Sequence, residues 1–129
     1  MSIGPAVAVG ETPTGRSRFI PITGGTFEGP RISGQVIPGG ADWQTVRPDG
    51  VTTVEAIYAI RAADGAVISV RNRGLVSPVE GAAPYVRTVP SFEAPMGPHD
   101  WLNTSVFVGT ITIANAERTA VRIGVFRVT

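Results

Sequence analysis

At 129 residues the chain has room for one domain around one core. Eleven Lys+Arg against ten Asp+Glu leave a formal charge of +1, too small a field to draw in nucleic acid or an acidic membrane. All eleven bases are arginine, which excludes a Schiff-base lysine, a P-loop lysine and a pyridoxal-phosphate anchor. With no cysteine and a single histidine, His99, the chain cannot build disulfides, thiolate nucleophiles, iron–sulfur clusters or a His-rich zinc site. No metal and no built-in organic cofactor is therefore expected.

The opening Met1-Ser2-Ile3-Gly4-Pro5 lacks the charged and apolar regions of a signal peptide, and no run approaches the roughly 18 apolar residues of a spanning helix. A soluble, cytoplasmic protein is expected. Sixteen glycines and eleven prolines are spread along the chain rather than clustered, which reads as frequent turns between short strands.

In chain order, residues 1–15 read as a partly ordered N-terminal segment. Phe19 to Thr23 is a short strand stopped by Gly24-Gly25, and Arg31 to Ile37 a second, stopped by a turn at Pro38-Gly39-Gly40. Val51 to Ala62 alternates in hydrophobicity, Ala63-Asp64-Gly65 supplies the Asp-Gly of a tight hairpin, and Ala66 to Leu75 returns with the same period. Tyr85 to Glu93 is a strand interrupted by Pro90, Trp101 to Ile113 a long one, and Thr119 to Val128 closes the chain after a turn at Asn115-Ala116-Glu117. No stretch sustains a helical period. Seven or more antiparallel strands in one all-β domain must roll up or fold over, and the alternation favours a barrel over a sandwich.

Parity gives faces. Val54, Ala56, Tyr58 and Ile60 share one side of the first hairpin strand, and Glu55, Ile57, Ala59 and Arg61 the other. On the return strand Ile68, Val70 and Asn72 lie opposite Ser69, Arg71 and Arg73, so the arginine side faces solvent or another subunit and Asn72 is the polar residue to explain.

Polar groups interleaved with glycine are densest from Gly24 to Gly50. Glycines beside Glu28, Arg31 and Asp42 let the backbone approach closely and aim these groups into one concavity, although an ion pair of Glu28 with Arg31 and a turn cap at Asp42 would use the same residues. Gly-Gly-Thr lacks the G-x-G-x-x-G spacing of a phosphate loop. Trp43 and Trp101 suit either pocket walls or core, and Tyr85 beside Arg87 on one strand face is a candidate acid or oxyanion donor. His99 falls in a loop where it can pair with a carboxylate. No G-x-S-x-G elbow is present, so any reaction is expected to be non-covalent proton transfer by Asp, Glu, Tyr or Arg.

The stretches Gly24-Gly25-Thr26-Phe27-Glu28-Gly29-Pro30-Arg31, Pro38-Gly39-Gly40-Ala41-Asp42-Trp43-Gln44, Asp64-Gly65-Ala66 with Asn72-Arg73-Gly74, Tyr85-Val86-Arg87, Phe92-Glu93 and Trp101-Leu102-Asn103 together resemble the domain-of-unknown-function family 3237, also called uncharacterised protein family 0311, over about residues 10 to 128. The resemblance implies a small, calycin-like antiparallel barrel, usually self-associating, with a pocket at its mouth. It also implies a fungal activity, intramolecular hydroalkoxylation, in which a hydroxyl adds across an alkene to close an oxygen ring. Asp42, Glu28, Arg31, Tyr85 and Arg87 fall in matching motifs. Two departures stand out: relatives carry a further strand-forming segment before Gly10, so the first strand here is expected to be short or missing, and His99 stands where relatives often have an aromatic.

The expectation is thus a cofactor-independent acid/base enzyme, a lyase, isomerase or hydroalkoxylation-type cyclase, acting on a small aromatic or lipophilic molecule. Asp42, Glu28, Tyr85 and Arg87 are the candidate catalytic groups, with Arg31, Trp43, Asn72, Trp101 and Asn103 binding substrate. Its rivals are a binding barrel without chemistry and a structural homo-oligomer, the latter lacking a cavity above roughly 300 Å³.

Overall fold

The computed structural model describes residues 1–129 and is built almost wholly of strands. They are β1 (Ser2–Ile3), β2 (Val7–Thr12), β3 (Gly15–Gly24), β4 (Thr26–Glu28), β5 (Ser33–Val46), β6 (Thr52–Ala62), β7 (Val67–Ser77), β8 (Tyr85–Glu93), β9 (Phe107–Ile113) and β10 (Val121–Arg127). A 3-10 turn, Asp100–Thr104, precedes β9. All pairings are antiparallel, in the order β1-β3-β5-β6-β7-β8-β9-β10. β2 follows β1 along the same edge of β3, and β4 pairs with the start of β5.

The sheet curls until its first strand meets its last. Met1 N donates to Val121 O (2.9 Å), Val121 N to Met1 O (2.8 Å) and Ile3 N to Thr119 O (2.9 Å), lacing β1 to the entry of β10. β2 makes no such pairing, so this seam is closed at one end only. A second weak seam lies between β8 and β9, registered at the single pair Thr88 with Gly109.

Alternation along β6 and β7 falls as the sequence reading has it. Val54, Ala56, Ile60, Ile68, Val70 and Asn72 are buried on the inner face, while Arg61, Arg71 and Arg73 are exposed outside. The core is small, with Ile22 and Ile68 fully enclosed beside Val36, Ile60, Leu102 and Phe107. Burying each large aliphatic contributes about 1.5–3 kcal/mol. Phe92 and Trp101 pack around Phe107, with ring centroids at 5.1 and 6.1 Å.

Three local expectations are corrected. Pro38-Gly39-Gly40 is not a turn between strands but a bulge within β5: Ile37 pairs with Ala59 and Ala41 with Ile57, so two extra β5 residues oppose a continuous β6. Because the insertion is even, inside and outside are not exchanged across it. Pro90 does not interrupt β8, which pairs with β7 through Asn72–Pro90; its missing N–H is tolerated where pairing with β9 has lapsed. Trp101 lies in the 3-10 turn rather than at the start of a strand, and β9 begins at Phe107. The N-terminal segment supplies β1 and β2, the first only two residues long. No helix is long and apolar enough to cross a membrane.

Candidate functional site

The barrel interior is hollow. A cavity of about 970 Å³ opens inside it, and 16 of its 25 lining residues are hydrophobic, so a ligand here would meet chiefly apolar wall. Glu28, Arg31, Asn72 and Trp101 of the sequence candidates are on that wall, together with Tyr58.

Asn72 is the most buried polar residue on that wall. It is 3% exposed, and its Oδ1 has no hydrogen-bond partner in the protein. Registry puts it in one inner row, Asp42–Ala56–Asn72–Pro90, across four neighbouring strands. Tyr58 is one step along, paired with Val70, and so diagonal to both Asp42 and Asn72 at roughly 7–8 Å. Burial, reinforced by the Asp42 charge, pushes the Tyr58 phenol up to about 12, so it is protonated at neutral pH and available as a donor.

Asp42 faces inward but lies beside the cavity rather than on its wall. Its Oδ2 accepts from Gln44 Nε2 (2.8 Å), and the Gln44 carbonyl accepts from Arg18 Nε (2.9 Å); Oδ1 has no partner. Burial raises its pKa above the ordinary carboxylate value, against the lowering by the Gln44 hydrogen bond and the Arg18 charge. The carboxylate is therefore in the row of Asn72, diagonal to Tyr58 and off the cavity wall.

The β5 bulge shapes this corner. A Cβ on Gly40 would come within 2.5 Å of Tyr58 Cβ and 2.6 Å of Ile57 O, so only glycine lets β5 pass this close to Tyr58. Gly39 beside it has φ +115°, which also favours glycine.

At the rim, Arg31 Cζ lies 4.0 Å above the Trp101 ring, a cation–π contact. Glu28 ends β4 and makes no ion pair with Arg31, the alternative use considered for the two residues. A smaller cleft of about 300 Å³ also borders Arg31, with Asp64 and His99 among its lining residues. His99 Nε2 contacts Asp64 Oδ2 at 2.8 Å, tying the loop before the 3-10 turn to the β6–β7 hairpin.

The remaining candidates are elsewhere. Tyr85 and Arg87 point outward from β8, with Arg87 Cζ 4.9 Å from the Tyr85 ring, so they do not converge with Asp42. Trp43 is 49% exposed on the outer face, stacked on Phe19 at 4.7 Å. Asn103 clamps the backbone of Ala94, its Oδ1 accepting from the N–H (2.8 Å) and its Nδ2 donating to the carbonyl (2.9 Å). Tyr58 lines the cavity but was not among the sequence candidates. Its signal was present: a phenol in an otherwise aliphatic inner row.

Fold and site together define an antiparallel β-barrel that keeps an apolar hollow with a few inward polar groups instead of a filled core. The chain belongs to the family described as "Protein of unknown function (DUF3237)", whose model matches residues 1–128. It is 40% identical over 134 aligned positions to the UPF0311 protein blr7842 of Bradyrhizobium diazoefficiens, covering 94% of this chain and 84% of the relative. The crystal structure of RPA1785 from Rhodopseudomonas palustris, a conserved protein of unknown function, superposes with a TM-score of 0.87 at 39% identity, covering 98% of this chain and 89% of that one. At 32% identity over 107 residues the chain is also similar to the hydroalkoxylation enzyme phnH of Penicillium herquei, spanning 83% of this chain and 65% of that protein.

Proposed function

We propose that the protein is a cofactor-independent acid/base enzyme that closes an oxygen ring, or moves a proton, on a small aromatic or lipophilic molecule held in the barrel. The carrying observation is the pairing of an apolar cavity of about 970 Å³ with a protonated, inward Tyr58 and an unpartnered, buried Asn72. Polar groups left unbonded on an apolar wall cost stability unless a ligand meets them. Likeness to a fungal protein named for hydroalkoxylation supports this class of chemistry.

The reaction balances without a redox partner. A substrate O–H bond breaks, its oxygen bonds to one alkene carbon, and the other carbon gains a proton. Tyr58 and Asn72 bind the reacting oxygen, and Asp42, through its charge diagonal to Tyr58, governs how readily that phenol gives or takes a proton. Tyr85 and Arg87, on the outer surface, have no part in it.

The purely structural alternative needs no hollow and fits the cavity poorly. A carrier barrel fits the apolar wall equally well, and turnover separates the two. Ortho-alkenyl phenols incubated in D₂O should give cyclic ethers with one deuterium on carbon. Tyr58→Phe should lower the rate about 100-fold or more while substrate still binds. Wild-type protein that binds these phenols without accelerating cyclisation, or a Tyr58→Phe variant as fast as wild type, would refute the proposal.

A further inference from the structure

The charged side chains on the cavity wall are three arginines, Arg31, Arg122 and Arg127, against one glutamate, Glu28. The chain has ten carboxylic side chains, yet none lies within ion-pair distance of these three guanidiniums; the ion pairs present use Arg47, Arg71, Arg73 and His99. A largely apolar hollow bordered by unpaired cations attracts an anion.

Two of the three are held by the same short element. Arg31 stacks on Trp101 at 4.0 Å. Arg127 Nε donates to Ser105 Oγ (3.1 Å), and Ser105 Oγ donates to the Trp101 carbonyl (2.8 Å). The loop after β4 and the end of β10 thus bring two guanidiniums to one turn at the cavity wall. Stacking uses a face of Arg31 and leaves its N–H edges free, and Arg127 commits only Nε, leaving its terminal nitrogens free. Arg122 is five residues back along β10, about 17 Å away on an extended strand, and stays apart.

We propose that Arg31 and Arg127 form a carboxylate clamp and that the cavity takes a flat, mainly apolar organic acid, its ring directed inward and its carboxylate held at the Trp101 turn. This rests on the small-molecule reading of the cavity above, but not on the reaction assigned to it. A planar guanidinium matches two carboxylate oxygens, and the apolar wall beyond accepts the ring.

The test compares trans-cinnamate with cinnamamide, which share a ring and differ in charge. In a Trp43→Phe background Trp101 is the sole tryptophan, and its quenching reports binding. Cinnamate should bind at least about tenfold more tightly than cinnamamide, with the preference shrinking as salt rises. Arg31→Gln and Arg127→Gln should each remove most of that preference while leaving cinnamamide affinity unchanged, which also shows the variants folded; Arg122→Gln should retain it. Equal affinity for the two probes, equal losses for both in the variants, or no binding of either at millimolar concentration overturns the clamp. Selective cinnamate binding by a protein that cyclises no alkenyl phenol would sink the catalytic reading and leave the clamp standing.

Discussion

If Asn72 serves a ligand rather than the barrel, replacing it should make the protein more stable. Asn72 is 3% exposed and its Oδ1 accepts no hydrogen bond, on a wall whose in-register neighbours are Ala56 and Pro90. A buried polar group without a partner costs about 1–3 kcal/mol. Only Oδ1, and not Nδ2, is both buried and unpartnered, so about 1 kcal/mol, the low end, is the working figure. Leucine has the same number of side-chain heavy atoms, no polar group to leave unbonded, and open cavity to extend into. Asn72→Leu should therefore raise stability by about 1 kcal/mol, equivalent to about 3–5 °C in melting temperature for a chain of this length. In urea, where slopes run about 1–3 kcal/mol per M, the midpoint should move up by about 0.3–1 M with the slope unchanged. Binding or turnover of an oxygen-bearing ligand should fall in the same variant. A loss of more than about 2 kcal/mol would mean that Asn72 holds the wall together, and the argument from its unpartnered amide would collapse.

Asp42 gives a pH-dependent counterpart. Its folded-state pKa is raised, so between its unfolded and folded values the native state holds more protons than the unfolded chain, and stability falls as pH rises from about 3.8 upward. Asp42→Asn mimics the protonated acid, so the variant should match wild type near pH 3.5 and be the more stable near pH 7; a melting-temperature gap that fails to open with pH would contradict the burial of this carboxylate. Gly40→Ala should destabilise by about 1–3 kcal/mol, because its Cβ meets Tyr58 Cβ and Ile57 O at distances no backbone tolerates unmoved. Chemical denaturation measures that cost, and ligand affinity should drop alongside it as Tyr58 is displaced.

The hairpin of β6 and β7 was legible because its signals agree: alternation on both arms and an Asp-Gly turn, in which Asp64 Oδ1 accepts from Ala66 N at 3.1 Å. Pro38-Gly39-Gly40 misled because a turn and a bulge use the same residues; only the uninterrupted partner β6 separates them. The 3-10 turn at Asp100–Thr104 was missed for a related reason. Its run Trp-Leu-Asn-Thr suits a strand locally, and what bends it is the packing of Leu102 and Trp101 against Phe107.

The site was half legible, and the division follows strand parity. Tyr85 and Arg87 drew attention through their chemistry, but the intervening and following residues Val86, Thr88 and Pro90 are the buried ones, so the alternation of β8 already assigns the pair to the outside. Asp42 and Trp43 invert the usual pattern: the carboxylate faces in and the indole out. In a filled core that inversion would be heavily penalised. Here the inward position adjoins a hollow lined by Tyr58 and Asn72, and the indole finds Phe19 outside, so the departure from binary patterning falls where the interior stops being filled core and becomes a cavity.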